Sequence, residues 1–331
     1  MSSLARIMRE APCEISVVIS TYNRAGQLGK ALDALLAQAG GVAYEVLVVD
    51  NNSTDETKEV ATSRLNRSGR LKYLFEPRQG LPYARNTGIV ASTAPIVAFT
   101  DDDVEVGADW VASIKRIFDE NPDVEMIGGR VRPTWPDTVP EWVTRRQLGP
   151  FALGERGDAP IRVSAANAAP CLVGANFAFR RSVFERVGLF DTSFIISEDR
   201  EIQLRLWRAG GVGLYVPDLV INVDIPRERL TKRYFRYWYT TYGVYHSRMR
   251  LLDVLDRDGR LAEPRGRHLL GAPAFLYREL LQSAVQWLAS AVRRNSSDAF
   301  YWENRFRYLF SYLRERRRMR RPVLLEKPAC A

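Results

Sequence analysis

Along the first hundred residues, short apolar runs alternate with a stretch in which leucine recurs at helical spacing. Residues 15–20 (ISVVIS) form a β-branched run ending in TYNR, and residues 44–49 (YEVLVV) a second one ending in DNNSTD. Between them Leu28, Leu32, Leu35 and Leu36 share a helical face, which predicts a strand, helix, strand unit long enough for parallel pairing. A further helix is predicted from Ser53 or Thr54, where Ser, Thr and Asp can cap exposed N–H groups and Glu56 stands in the first turn. Residues 71–75 predict a third strand, 82–91 a helix, and 95–100 (PIVAFT) a fourth strand that runs into Asp101, Asp102 and Asp103. Beyond these the pattern predicts a helix over 110–121, a strand at MIGGRVRP, and a long irregular segment over 134–170. An extended run over 171–180, helices over 183–187 and 197–209, and a strand over 215–223 follow. The expected class is α/β.

Polar residues gather where the predicted strands end, and ligands of open α/β sheets bind at that edge. The four ends deliver Ser20 to Arg24, Asp50 to Asn52, a loop reaching Arg85 and Asn86, and the three aspartates. Neither GxGxxG nor GxxxxGK[ST] occupies the first turn, so dinucleotide and P-loop readings lose their main support. STYNR is equally unlike the Gly-rich, basic first loop of nucleotidylyl transfer.

Charge divides the chain of 331 residues. Its formal charge is +9, from 48 Lys plus Arg and 39 Asp plus Glu; residues 1–226 hold 25 basic and 29 acidic side chains, and residues 227–331 hold 23 and 10. A slightly acidic body thus carries a strongly basic C-terminal third. Cys13, Cys171 and Cys330 are odd in number and lack CxxC or CxxH spacing, which predicts reduced thiols and no zinc site. The N-terminal residues lack a signal peptide's apolar core, and no uncharged stretch is a spanning helix.

Three successive carboxylates after an apolar strand raise one another's pKa unless a cation offsets them. A divalent metal with hard oxygen ligands is one answer, Asp101 and Asp103 sharing a face of an extended segment; a solvated acidic loop is the other. Glu198-Asp199 at a helix start reads either as chemistry or as ordinary helix-dipole compensation.

The ordered set STYNR, VVDNNSTDET, GLPYARNTGI, FTDDDVEVGADW and GANFAFRRSVFERVGLFDTSFIISEDREIQLRLWRAG resembles family 2 of the inverting glycosyltransferases with the GT-A fold, over residues 14–250. The resemblance implies a GT-A domain over 1–226, with a nucleotide-binding half at 14–110 and an acceptor half at 111–226. A helical extension over 227–331 follows. It implies that Ser20, Thr21, Tyr22 and Arg24 line the nucleotide pocket, that Asp50 and Asn51 stand near uracil or another base, and that Arg85 contacts base or diphosphate. Asp101 and Asp102 would sit by the ribose, and Asp103, with Asp101, would hold Mn2+ or Mg2+. Asp199 would be the general base, with Glu198 and Arg200 near the acceptor or diphosphate and Gly174, Ala175 and Asn176 as the acceptor-side floor. Many relatives have a metal-shell His before the segment matching IPRER; here Asp224 replaces it or the metal keeps fewer protein ligands. The implied partners are a nucleotide-sugar donor, UDP-linked, and a glycan or lipid-linked acceptor of cell-surface polysaccharide or glycolipid synthesis. The competing reading is a non-catalytic nucleotide-sugar-binding scaffold.

Trp135 and Trp142 either stack on an acceptor or pack the long segment. In the basic third, aromatics interleave with Lys and Arg, and Phe306, Leu309, Phe310 and Leu313 make one apolar helical stripe. Such helices suit an anionic membrane surface on the cytoplasmic side, or pack on the body or on a second subunit of a homo-oligomer. His246 and His268 read as surface or packing residues. With no nucleic-acid-binding motif, nucleic acid is not an expected partner.

Overall fold

The computed structural model describes residues 12–65, 69–263 and 267–319. Nine strands form one mixed sheet in the order β3-β2-β1-β4-β8-β6-β9-β5, with β7 also pairing β9. The parallel half comprises β1 (Ile15–Thr21), β2 (Tyr44–Asp50), β3 (Leu71–Phe75) and β4 (Ile96–Asp101). Strand parity divides its side chains between two cores. Val17, Ile19, Val46, Val48 and Ala98 pack on one face under α1 (Ala25–Leu36), while Val18, Leu47, Val49, Val97 and Phe99 pack on the other under α3 (Leu81–Ala91). Both faces are covered, so the strands read as continuous apolar runs rather than alternating ones.

In the second half β5 (Val104–Val106), β6 (Met126–Thr134), β7 (Ile161–Val163), β8 (Asn176–Arg180) and β9 (Gly213–Asp224) add strands of mixed direction. Between them lie α4 (Trp110–Glu120), α5 (Ser182–Val187) and α6 (Glu198–Arg208). The predicted helix at Ser53 or Thr54 begins later, as α2 (Thr57–Thr62). Asn23 draws Thr54 out of helical geometry by accepting its N–H at 2.7 Å, and the Asp55 carboxylate accepts from the N–H groups of Thr57 and Ala25. The extended run predicted from 171 pairs only from Asn176, and the irregular segment contains β7 and two short 3-10 turns.

Four helices follow the sheet: α7 (Lys232–Arg248), α8 (Leu251–Val254), α9 (Ala274–Val292) and α10 (Ser296–Arg318). The Thr231 hydroxyl caps α7 and the Asn295 amide caps α10, at 3.2 and 3.0 Å from the accepted N–H groups. Phe235 of α7 and Phe300 of α10 belong to the same core as β1 and β2, with Trp142 edge-on to both rings at 4.9 Å. Trp142 is therefore a packing residue. The predicted stripe on α10 does not face outward as a unit: Leu309 and Leu313 are buried with Leu276 and Tyr312, and only Phe310 is well exposed. A buried Asp253–Arg316 ion pair at 2.6 Å ties α10 to α8. No helix among the described residues is long and apolar enough to cross a membrane. Cys330, Arg320 and Arg321 lie outside the described residues; Cys13 and Cys171 are free thiols.

Candidate active site

Parallel register aligns the ends of three strands, setting Thr21 beside Asp50 and Ser20 beside Asp101. A cleft of about 590 Å³ opens there. Ser20, Thr21, Tyr22, Arg24, Asn51, Arg85 and the three aspartates line one side, and Gly174, Ala175, Glu198 and Asp199 the other. The Ser20 hydroxyl is buried in the wall with no hydrogen-bond partner, an unfilled polar position of the kind a bound ligand satisfies.

Arg24 binds Asp102 at 2.8 Å and Asp103 at 2.9 Å, and Arg229 stands 3.8 Å from Asp103. Enclosure in the cleft pushes Asp101 up to about 6, with Arg85 opposing the rise and the neighbouring aspartates adding to it. Burial raises Asp102 as well, against the pull of Arg24. Oxygen donors of this kind fit a hard divalent cation that keeps water and phosphate oxygens in its shell, not a closed protein cage. No group of three or more His, Cys, Asp or Glu side chains among the described residues is arranged to hold a metal alone. Asp224 does not take the missing histidine's place. At the end of β9 and just beyond it Ile221, Val223 and Ile225 are buried while Asn222 and Asp224 are exposed, so the alternation turns Asp224 outward, and Val223 and Arg229 line the cleft.

Arg85 lies against the rings of Phe177, Phe190 and Phe99, stands 3.6 Å from Asp101 and pairs with Glu198 at 2.6 Å. The Gly174 carbonyl accepts from Arg85 at 3.2 Å, and the Gly174 N–H donates to Asp199 at 3.3 Å. A Cβ here would stand 2.7 Å from the guanidinium, so a side chain at 174 would have to displace Arg85. Glu198 is thus engaged by Arg85 rather than offered to an acceptor; burial raises its carboxyl, with Arg85 opposing. Asp199, accepting from the Arg200 N–H at 2.7 Å, keeps part of its carboxylate open to the cleft.

Other expected site residues sit elsewhere. Asp50 is buried, accepting from the Tyr73 hydroxyl and the Ser53 N–H, and does not line the cleft. Asn51 lines it, but its amide clamps the loop at 76–80 through the carbonyls of Glu76 and Arg78 and the N–H of Gly80. Asn176 is wholly buried: it accepts from the Trp110 indole and donates to the carbonyls of Arg130 and Leu219. It braces three segments and does not line the cleft. Trp135 packs edge-on to Phe151 at 5.1 Å and borders a second chamber of about 990 Å³. Arg200 lies in that chamber, which shares Ala152, Val173, Ser197, Asp199, Trp238 and Tyr242 with the first cleft.

The residues missed from sequence are Arg229, in the turn before α7, and an aromatic face of α7 itself. Tyr234, Trp238 and Tyr242 line the cleft, with Trp238 and Tyr242 stacked at 3.8 Å between ring centroids. Their i, i+4, i+8 spacing was the available signal, hidden by the basic residues around it. His246, one turn further on, borders the second chamber.

A mixed sheet with carboxylates after its fourth strand, faced across a cleft by a carboxylate at a helix start, defines a glycosyltransferase of the GT-A type. The fold is shared by the mannosyltransferase PcManGT from Pyrobaculum calidifontis in complex with GDP-Man and Mn2+, over 92% of this chain and 88% of that one, with a TM-score of 0.60 and 20% identity. GalNAc-T7 with UDP, GalNAc and Mn2+ shares it over 73% and 51%, with a TM-score of 0.52 and 20% identity. Residues 16–188 match the model of Glycosyl transferase family 2, and the chain belongs to that family. Among its relatives is the glucosyl-dolichyl phosphate glucuronosyltransferase of Haloferax volcanii, 28% identical over 57% of this chain and 60% of that protein. Glycosyltransferase AglE of the same organism is 31% identical over 67% and 71%.

Proposed function

We propose that the protein transfers a sugar, with inversion, from a nucleotide-diphosphate sugar to a glycan or lipid-linked acceptor. The observation that carries this reading is the position of Asp199, whose carboxylate stands where the donor cleft and the second chamber meet. A donor in the first and an acceptor in the second would present the anomeric carbon and the attacking hydroxyl to one base. The new C–O bond forms as the bond to the diphosphate breaks, and Asp199 takes the hydroxyl proton. Asp103 and Asp101 would hold Mn2+ or Mg2+, which offsets charge on the leaving diphosphate. Ser20, Thr21 and Tyr22 would position the nucleotide. Arg24 and Arg229 would exchange carboxylate partners for phosphate oxygens.

A donor screen tests the reading: the protein is incubated with manganese and a panel of UDP- and GDP-sugars, and donor hydrolysis and melting temperature are followed. One donor should be hydrolysed and raise the melting temperature. Silence across the panel overturns the proposal.

The C-terminal helices would hold the enzyme on an anionic membrane surface. Support comes from α9, where Leu281, Val285, Leu288 and Val292 are exposed at i, i+4, i+7 and i+11. Arg278, Arg293 and Arg294 flank this face and are exposed too.

A further inference from the structure

The two chambers that meet at Asp199 differ in electrostatics. On the donor side Arg24, Arg85 and Arg229 each face a carboxylate. Around the second chamber Arg145, Arg156 and Arg200 form no ion pair among the described residues. Arg200 is the telling member. It is only 5% exposed, and its guanidinium donates to the Pro170 carbonyl at 3.2 Å, while no carboxylate of the described residues forms an ion pair with it. A buried, uncompensated charge is costly, and an anion supplied from outside removes the cost. Burial and the nearby Arg200 cation push His246 down to about 3, so its ring is neutral. At the mouth between the chambers the Ser197 hydroxyl is buried without a hydrogen-bond partner, on a residue in left-handed backbone geometry (φ 64°). Glu155 and Asp199 are the two carboxylates on the wall, against three arginines, and Leu148, Leu251, Leu255, Trp135 and Trp238 give it a large apolar part.

We propose that the second chamber is an acceptor subsite for a phosphate- or diphosphate-bearing lipid. Arg200, Arg156 and Arg145 take the phosphoryl oxygens, Ser197 donates from the mouth, and the leucine and tryptophan wall takes the first hydrocarbon units. This inference rests on the sugar-transfer reading and names the acceptor class that reading leaves open.

Binding is tested on the full chain with farnesyl diphosphate, farnesol and inorganic pyrophosphate as probes. Manganese is present, and UDP or GDP, whichever shifts the melting temperature, saturates the donor cleft. Farnesyl diphosphate should bind about tenfold or more tightly than farnesol, as hydrogen bonds to charged groups predict, and about tenfold or more tightly than pyrophosphate, as burial of its hydrocarbon predicts. Arg145→Gln combined with Arg156→Gln should weaken it by about tenfold and bring it close to farnesol. Farnesol binding as well as farnesyl diphosphate, or a double variant binding like wild type, overturns the anion site. Pyrophosphate binding as tightly as farnesyl diphosphate overturns the lipid assignment. Donor hydrolysis by the wild-type preparation is read alongside: its absence sinks the transferase reading without altering the probe comparison.

Discussion

The guanidinium of Arg85 and the carboxylate of Glu198, 113 residues apart in the chain, lie 2.6 Å from each other with side chains 4% and 7% exposed. The pair joins α3, beside the first cleft, to the first turn of α6, which carries Asp199. Glu198→Gln should leave Arg85 with only Asp101, 3.6 Å away, as a counter-charge among three phenylalanine rings and cost up to about 3–5 kcal/mol of stability in a denaturant titration. Adding Arg85→Met should recover part of that loss. A double variant less stable than the sum of the two singles would refute the coupling.

Asp199→Asn should lower sugar transfer by about 10²- to 10⁴-fold while nucleotide binding, read by thermal shift, persists. Transfer at the wild-type rate would remove Asp199 from the reaction.

Asn176→Ala should act on stability rather than on acceptor affinity. It orphans the Trp110 indole N–H and removes a donor from two buried carbonyls, at a cost of about 1–3 kcal/mol. A raised acceptor KM with an unchanged melting temperature would restore it to the acceptor floor.

Glu45 supplies an acid-sensitive tie. Burial opposes its ionised form, but hydrogen bonds from Lys72, Ser16 and Thr93 prevail and hold it at about 2, below its ordinary 4.5. A carboxyl depressed by folding stabilises fully above its unfolded value and loses that contribution as pH falls toward its folded value. The melting-temperature gap between wild type and Glu45→Gln should therefore be widest near neutral pH and close as pH drops from about 4.5 to about 2. A constant gap over that window would exclude the linkage.

Leu281→Ser with Leu288→Ser should weaken sedimentation with phosphatidylglycerol-containing vesicles by about tenfold or more, since each exposed leucine loses its transfer to the interface. Added salt should weaken wild-type binding further. Equal binding by the double variant would move the contact surface away from α9.

Periodicity alone revealed the parallel half of the sheet because its strands, buried on both faces, are unbroken apolar runs, and the helices between them carry leucines at regular spacing. The positions of Arg24, Asp103 and Asp199 were legible for a related reason: each follows directly from the end of a strand or the start of a helix. Asn176 and Asp224 were not legible, because whether a polar side chain braces the interior or faces the cleft depends on strand parity and on neighbours far away in sequence. The same holds for α7, whose aromatic face is indistinguishable in sequence from an outward one until β9 and the segment before it deliver it over the cleft. The sequence by itself determined the α/β class and the acidic strand-end chemistry, both of which are local. Only tertiary structure decided which carboxylates are already paired, which arginines are left without a counter-charge, and that α9 rather than α10 turns its apolar side outward, because each of these follows from long-range packing.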